Sequence, residues 1–170
     1  LLIPELKIAA GERVGIVGPV GAGKTTLLRM LSGMYKPQQG SVRLDDVDLA
    51  QLTNKKKKKH VGYLQQEGRL FAGTLRDNLL LGMVDPGDDV LLRVAQQTGL
   101  FASVIAAHPR GLQQEIFEGG GGLSGGQRQL VNLTRVLLRR PRIWLLDEPT
   151  AALDSQIERQ IMGLLSESLT

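Results

Sequence analysis

Cysteine is absent from this chain of 170 residues. That excludes a disulfide scaffold and fits a cytosolic setting. Long apolar runs are missing too: no stretch of 18 apolar residues occurs, so nothing in the sequence reads as a membrane-spanning helix. Aromatic residues make up only 4%, and none falls in positions 1–17. Histidine occurs only at His60 and His108, and both read as surface or loop residues. No secretory or transit signature opens the chain. It begins Leu1-Leu2-Ile3-Pro4 without an initiator Met, which reads as a piece of a longer protein.

What is present is ordinary for one soluble globular domain: 42% hydrophobic and 22% charged residues, enough for a real core. The net charge of +4 has a single cause, five consecutive lysines from Lys55 to Lys59. Taking those five charges away leaves −1, so the rest of the chain is nearly neutral. The run is read as a solvated loop rather than a phosphate-binding patch.

Glycine clusters at 18–23 and 119–126, where backbone must approach something closely. Residues 13–17 read as a short strand entering the first cluster. Leu27, Leu28 and Leu31 follow at helical spacing, and Gly33 is a helix stop. Val42 to Leu49, broken by Asp45-Asp46, reads as a β-hairpin, and Val61 to Leu64 as another strand. Helices are expected over 74–81, with Thr74 and Asp77 forming a capping box, and over 88–97, with Asp88 as N-cap. A longer helix is expected over 127–140, stopped by Pro141. The apolar run 143–146 then reads as a strand buried on both faces of a parallel sheet.

Three motifs carry chemistry. Gly18-Pro19-Val20-Gly21-Ala22-Gly23-Lys24-Thr25 is a complete phosphate-binding loop. Its backbone amides and the following helix N-terminus can wrap a triphosphate, Lys24 adds a cation, and Thr25 offers a hydroxyl to Mg²⁺. Thr26 follows in the same helix turn. Asp147 and Glu148 end the apolar run: Asp147 is placed to hold Mg²⁺, and Glu148 to act as the base that polarises the attacking water. Leu123-Ser124-Gly125-Gly126-Gln127 opens a long helix and makes a second anion-binding helix end. A single site needs only one, so the economical arrangement is composite, with this segment of one copy closing on the triphosphate of another.

Gly18–Thr25, Gln66, Leu123–Gln127, Ile143–Glu148 and Ala152-Leu153-Asp154 resemble, in order, the Walker A, Q-loop, signature, Walker B and D-loop of ATP-binding cassette (ABC) ATPases. The resemblance spans essentially the whole chain. It implies an α/β fold: a P-loop NTPase core with a mainly parallel sheet, a small antiparallel β subdomain, and a helical subdomain carrying the signature. The RecA-like core would occupy about 1–66 and 128–170, and the helical subdomain about 67–127. It implies Mg²⁺ and ATP, and a head-to-tail dimer with a second nucleotide-binding domain. Ser124 and Gly126 would then contact the γ-phosphate in trans, Gln66 would approach Mg²⁺ and the attacking water, and Asp154 would communicate across the dimer. Val61–Gln66 followed by Leu70–Asn78 looks like exporters, whose membrane domains would be the further partner. Glu118-Gly119-Gly120 resembles the corresponding segment of bacterial type I secretion exporters. A peripheral place on the cytoplasmic face of a bacterial inner membrane follows, with no nucleic acid expected as a partner.

Two departures stand against the pattern. Family members stack an aromatic residue on adenine from upstream of the P-loop, and positions 1–17 offer none. A switch histidine normally follows the D-loop by roughly thirty residues, and neither His60 nor His108 matches it. The expectation is a chain that binds Mg-ATP and hydrolyses it poorly. Two other classes stay open at this stage: a soluble ABC ATPase acting on nucleic acid or the ribosome, and a nucleotide-gated binding module without useful catalysis.

Overall fold

The computed structural model describes residues 2–66 and 68–168. Helix α1 (Lys24–Leu31) begins directly after Gly23 and is followed by the hairpin β1 (Arg43–Leu44) and β2 (Val47–Asp48). Helix α2 (Asn54–His60) runs straight into strand β3 (Val61–Leu64). Strand β4 (Gly73–Thr74), helix α3 (Leu75–Leu80), helix α4 (Asp88–Thr98) and strand β5 (Glu115–Ile116) make up the middle of the chain. Helix α5 (Gly125–Leu138), strand β6 (Ile143–Leu146) and helix α6 (Ser155–Ser168) complete it.

Strands β3 and β6 pair in parallel, with Val61 opposite Ile143 and Leu64 opposite Leu146. Because the two run the same way, the residues that follow them, Gln65-Gln66 and Asp147-Glu148, emerge at the same end. β1 pairs with β2, and β4 with β5, both antiparallel. Two apolar clusters hold these elements. The larger joins Leu75 and Leu79 of α3, Leu91 and Ala95 of α4, Leu130 and Leu133 of α5, and Ile161 of α6. The smaller seats α1 on the parallel pair through Leu28, Val61 and Leu145. Each buried leucine of this kind is worth roughly 2 kcal/mol of transfer free energy.

Several local expectations hold. Thr74 and Asp77 form a reciprocal capping box on α3, and Gly33 adopts φ 73° where α1 ends. Asp45, at φ 52°, turns the hairpin. Four others differ. The segment 13–17 is not a strand: among the described residues no backbone hydrogen bond ties it to a neighbour, and Val14, Ile16 and Val17 are exposed. An extended apolar segment becomes a strand only when a ladder partner lies beside it. The lysine run is helical rather than a loop. Thr53 Oγ1 accepts from Lys56 N, Lys57, Lys58 and Lys59 sit in the last turn of α2 where cations suit the dipole, and Lys57 Nζ reaches Gly33 O at 3.3 Å. The N-cap of α4 is Gly87, with Asp88 as the first helical residue. In β6 only Leu145 is buried, since the described residues pair that strand on one edge.

Candidate functional site

The loop 18–23 owes its shape to two glycines. Gly21 and Gly23 take φ 82° and 93°, a left-handed conformation that most L side chains avoid. The chain thereby turns sharply into α1, whose first amides have no intrahelical partner. Ala22 N donates to Pro19 O, closing the loop. The Lys24 ammonium lies across it, donating to Gly18 O at 2.8 Å and to Pro19 O at 3.0 Å. A cation held among loop carbonyls, beside unpaired amides, is the donor set that a polyphosphate requires. Thr25 and Thr26 follow on the first turn of α1.

At the far ends of β3 and β6 the predicted carboxylates and glutamine meet. Gln66 Nε2 donates to Glu148 Oε2 at 2.7 Å. Asp147 is only 6% exposed, its amide donates to Leu64 O, and its carboxylate accepts from the Tyr63 hydroxyl at 3.3 Å. Burial, reinforced by the negative charge of Asp147, pushes the Tyr63 hydroxyl above the usual phenol range. Tyr63 thus stays neutral and holds one oxygen of Asp147 in place. Glu148 itself sits at φ 49°, a costly conformation for a non-glycine residue that recurs at functional sites. Leu28 packs on Leu145, so the helix carrying Lys24 and Thr25 is anchored on the strand that delivers Asp147.

The signature segment lies at the start of α5. Ser124 Oγ accepts from Gln127 N, and Gln127 Oε1 accepts from Ser124 N, a capping box of the Ser-x-x-Gln type. Ser124 and Gly125 are exposed, and no described hydrogen bond joins this segment to Gly18–Thr25 of the same chain. Gly126 faces the D-loop so closely that a Cβ there would lie 2.8 Å from Ala152 O. Asp154 caps α6, its Oδ1 accepting from Gln156 N and Ile157 N at 2.9 Å each.

Sequence reasoning missed the residues that brace these loops. Gln129 Nε2 donates to Glu148 O at 2.9 Å while its Oε1 accepts from Ala152 N at 3.0 Å. Asn132 Nδ2 donates to Gly68 O, and Arg135 donates to Arg69 O and Asn78 O. Asn78 in turn exchanges two hydrogen bonds with the backbone of Phe71. One face of α5 therefore grips the loop after Asp147 and the loop after Gln66 together. The available signal was a polar side chain, Gln129, set among the apolar positions of that helix. Of the histidines, His60 ends α2, and the exposed His108 accepts from Arg110 N.

A glycine loop at a helix N-terminus, seated on a parallel sheet whose next strand ends in paired carboxylates, defines a P-loop nucleotide-binding domain. A family model described as ABC transporter matches residues 3–151. Human ATP-binding cassette sub-family B member 6 is 38% identical over 160 residues, which is 94% of this chain and 19% of that protein. The glutathione/L-cysteine transport system ATP-binding/permease protein CydC of Escherichia coli is 38% identical over 165 residues, 97% of this chain and 28% of that protein. Among solved structures, that of a bacterial Atm1-family ABC exporter with ATP bound superposes with a TM-score of 0.87 at 35% identity. It covers 95% of this chain and 28% of that one. The chain belongs to the ABC transporter family. It spans less than a third of each of these relatives.

Proposed function

We propose that this chain is the ATP-binding and ATP-hydrolysing domain of an ABC exporter. One observation carries the reading: Gln66, Asp147 and Glu148 converge at the C-terminal ends of two parallel strands, the edge at which open α/β sheets bind ligands. The donor set fits Mg-ATP. Lys24 and the amides at the start of α1 would hold the phosphates, and the Thr25 hydroxyl with Asp147 and Gln66 would hold the ion. When bound, the magnesium ion supplies charge neutralisation at the transferring phosphoryl group. Glu148 then accepts a proton from the attacking water, with Gln66 orienting its carboxylate and Tyr63 keeping Asp147 fixed.

The self-capped Ser124–Gly126 segment, exposed at Ser124 and Gly125, is available to a second copy. In this reading it closes over the partner's ATP in a head-to-tail dimer, Asp154 communicates across the interface, and ATP binding drives the association. The RecA-like core comprises about 1–66 and 128–170, and the helical subdomain about 67–127. Phe71, 44% exposed in the loop beyond Gln66, lies where a membrane-embedded partner domain would dock. No helix among the described residues is long and apolar enough to cross a membrane. Peripheral attachment at the cytoplasmic face, through that partner, fits the exporter relatives.

Ser124→Arg places a bulky cation at the trans contact while leaving Gly18–Thr25 untouched. Nucleotide affinity is expected to stay within about fivefold, since an exposed charge change is worth under about 1 kcal/mol. ATP-driven dimerisation, followed by light scattering, is expected to vanish. Dimers of the variant forming with ATP would refute the composite site.

A further inference from the structure

The ends of β3 and β6 opposite Glu148 carry a different concentration of charge. Arg142 N donates to His60 O at 3.0 Å, so the two strands enter the sheet side by side. Helices α2 and α5 both terminate there. Lys59, His60, Arg139, Arg140 and Arg142 line a hollow of about 450 Å³. Among the described residues no acidic side chain lines it, and none of their ion pairs involves these five.

The simplest account of cations at helix C-termini is dipole compensation, and its size can be compared with the charge present. Each helix end contributes at most about −0.5 of a charge, so α2 and α5 together offset about one positive charge. Lys59, Arg139, Arg140 and Arg142 carry four permanent ones. About three remain unmatched. Burial, with the neighbouring charge of Arg139, already pushes the guanidinium of Arg135 down to about 10. Arg140 is in addition held at φ 46°, a strained conformation for a residue with a Cβ.

We propose that this hollow is a second anion site, at the opposite end of the parallel strands from Glu148, for a small molecule or lipid headgroup bearing two or more phosphates. One phosphate monoester brings about −1.5 to −2 charges, so two suffice to match about three positive charges. The volume lies within the range of small-ligand pockets. Lys55, Lys56 and Lys58 are exposed on α2 and do not line the hollow, so they add long-range attraction without contact.

The test uses the 170-residue chain carrying Lys24→Ala, so that the P-loop does not compete. Inositol trisphosphate is titrated by calorimetry, and in parallel the protein is sedimented with vesicles containing phosphatidylinositol bisphosphate or phosphatidylcholine alone. Arg140 and Arg142 are exposed, and no described hydrogen bond involves their side chains, so Arg140→Gln/Arg142→Gln is expected to fold normally. It should weaken binding at least about tenfold, the loss of two charge-assisted contacts. Lys55→Gln/Lys56→Gln/Lys58→Gln should change it by no more than about threefold. Binding of the soluble probe assigns a free phosphorylated ligand. Binding only to the bisphosphate vesicles assigns a headgroup. Equal losses from the two variants would mean diffuse attraction and overturn the site, as would failure of both probes to bind.

Discussion

Replacing Gln129 tests the claim that the signature helix holds its own chain's catalytic loop. Gln129 is 7% exposed and spends both ends of its amide on backbone, one on Glu148 O and one on Ala152 N. Gln129→Leu keeps the volume and removes both bonds. Each backbone group left without a partner costs about 1–3 kcal/mol, toward the lower end here because Glu148 and Ala152 are themselves exposed. The expected loss is about 2–3 kcal/mol, or about 5–10 °C in Tm for a domain of this length. Thermal unfolding followed by circular dichroism measures it, and amide exchange at Ala152 should accelerate in step. Gln129→Glu adds a control on mechanism. The ionised carboxyl still accepts from Ala152 N but repels Glu148 O, so its folded-state pKa rises. A raised pKa contributes stability that is present below the unfolded value near 4.3 and lost as pH rises through the folded value. The Glu variant should therefore approach the parent in acid and fall behind at neutral pH. A Leu variant that melts within about 2 °C of the parent, with Ala152 exchange unchanged, would refute the bracing role.

Two further outcomes follow from the site. Gly126→Ala would put a methyl 2.8 Å from Ala152 O, whereas at Gly125 the nearest atoms lie at 3.9 and 4.0 Å; the first should cost about 1–3 kcal/mol and the second almost nothing by denaturant unfolding. Burial and Asp147 raise the Tyr63 pKa from its model-peptide value of 10.0, so in a Tyr35→Phe background the phenolate absorbance should appear above that pH. Asp147→Asn, which removes the second cause, should lower the midpoint, and the stability contributed by neutral Tyr63 should fade as pH climbs through it.

Elements whose signals are local were legible in the sequence. The P-loop, β3, the capped α3 and the glycine-opened α5 each carry their own start, stop or periodicity, and the structure places the strand as read and the two helices within two residues of the expected bounds. Elements that depend on neighbours were not. Val14, Ile16 and Val17 have strand-forming side chains, yet no ladder partner accompanies them among the described residues. Lys55–Lys59 looked like a loop because of their composition. Lysine is a fair helix former, and the cap at Thr53 with the paired His60–Arg142 backbone settles the segment as α2. In the site, Lys24, Asp147 and Glu148 belong to motifs and could be named in advance. Tyr63 and Gln129 act through partners 84 and 23 residues away, a relationship that spacing within one segment cannot express.

The polar face of α5 has a consequence for which lengths of chain can change. Gln129, Asn132 and Arg135 step along the helix by three residues, the first meeting the loop after Asp147 and the other two the loop after Gln66. One residue inserted between Gln129 and Asn132 would swing the two later side chains about 100° around the axis, stranding the loop after Gln66 while leaving Glu148 braced. Insertions in the turn at 81–87 would disturb none of these bonds. Length variation among descendants of this gene should therefore collect in that turn and be purged from α5, even where each substitution within α5 taken alone is tolerated.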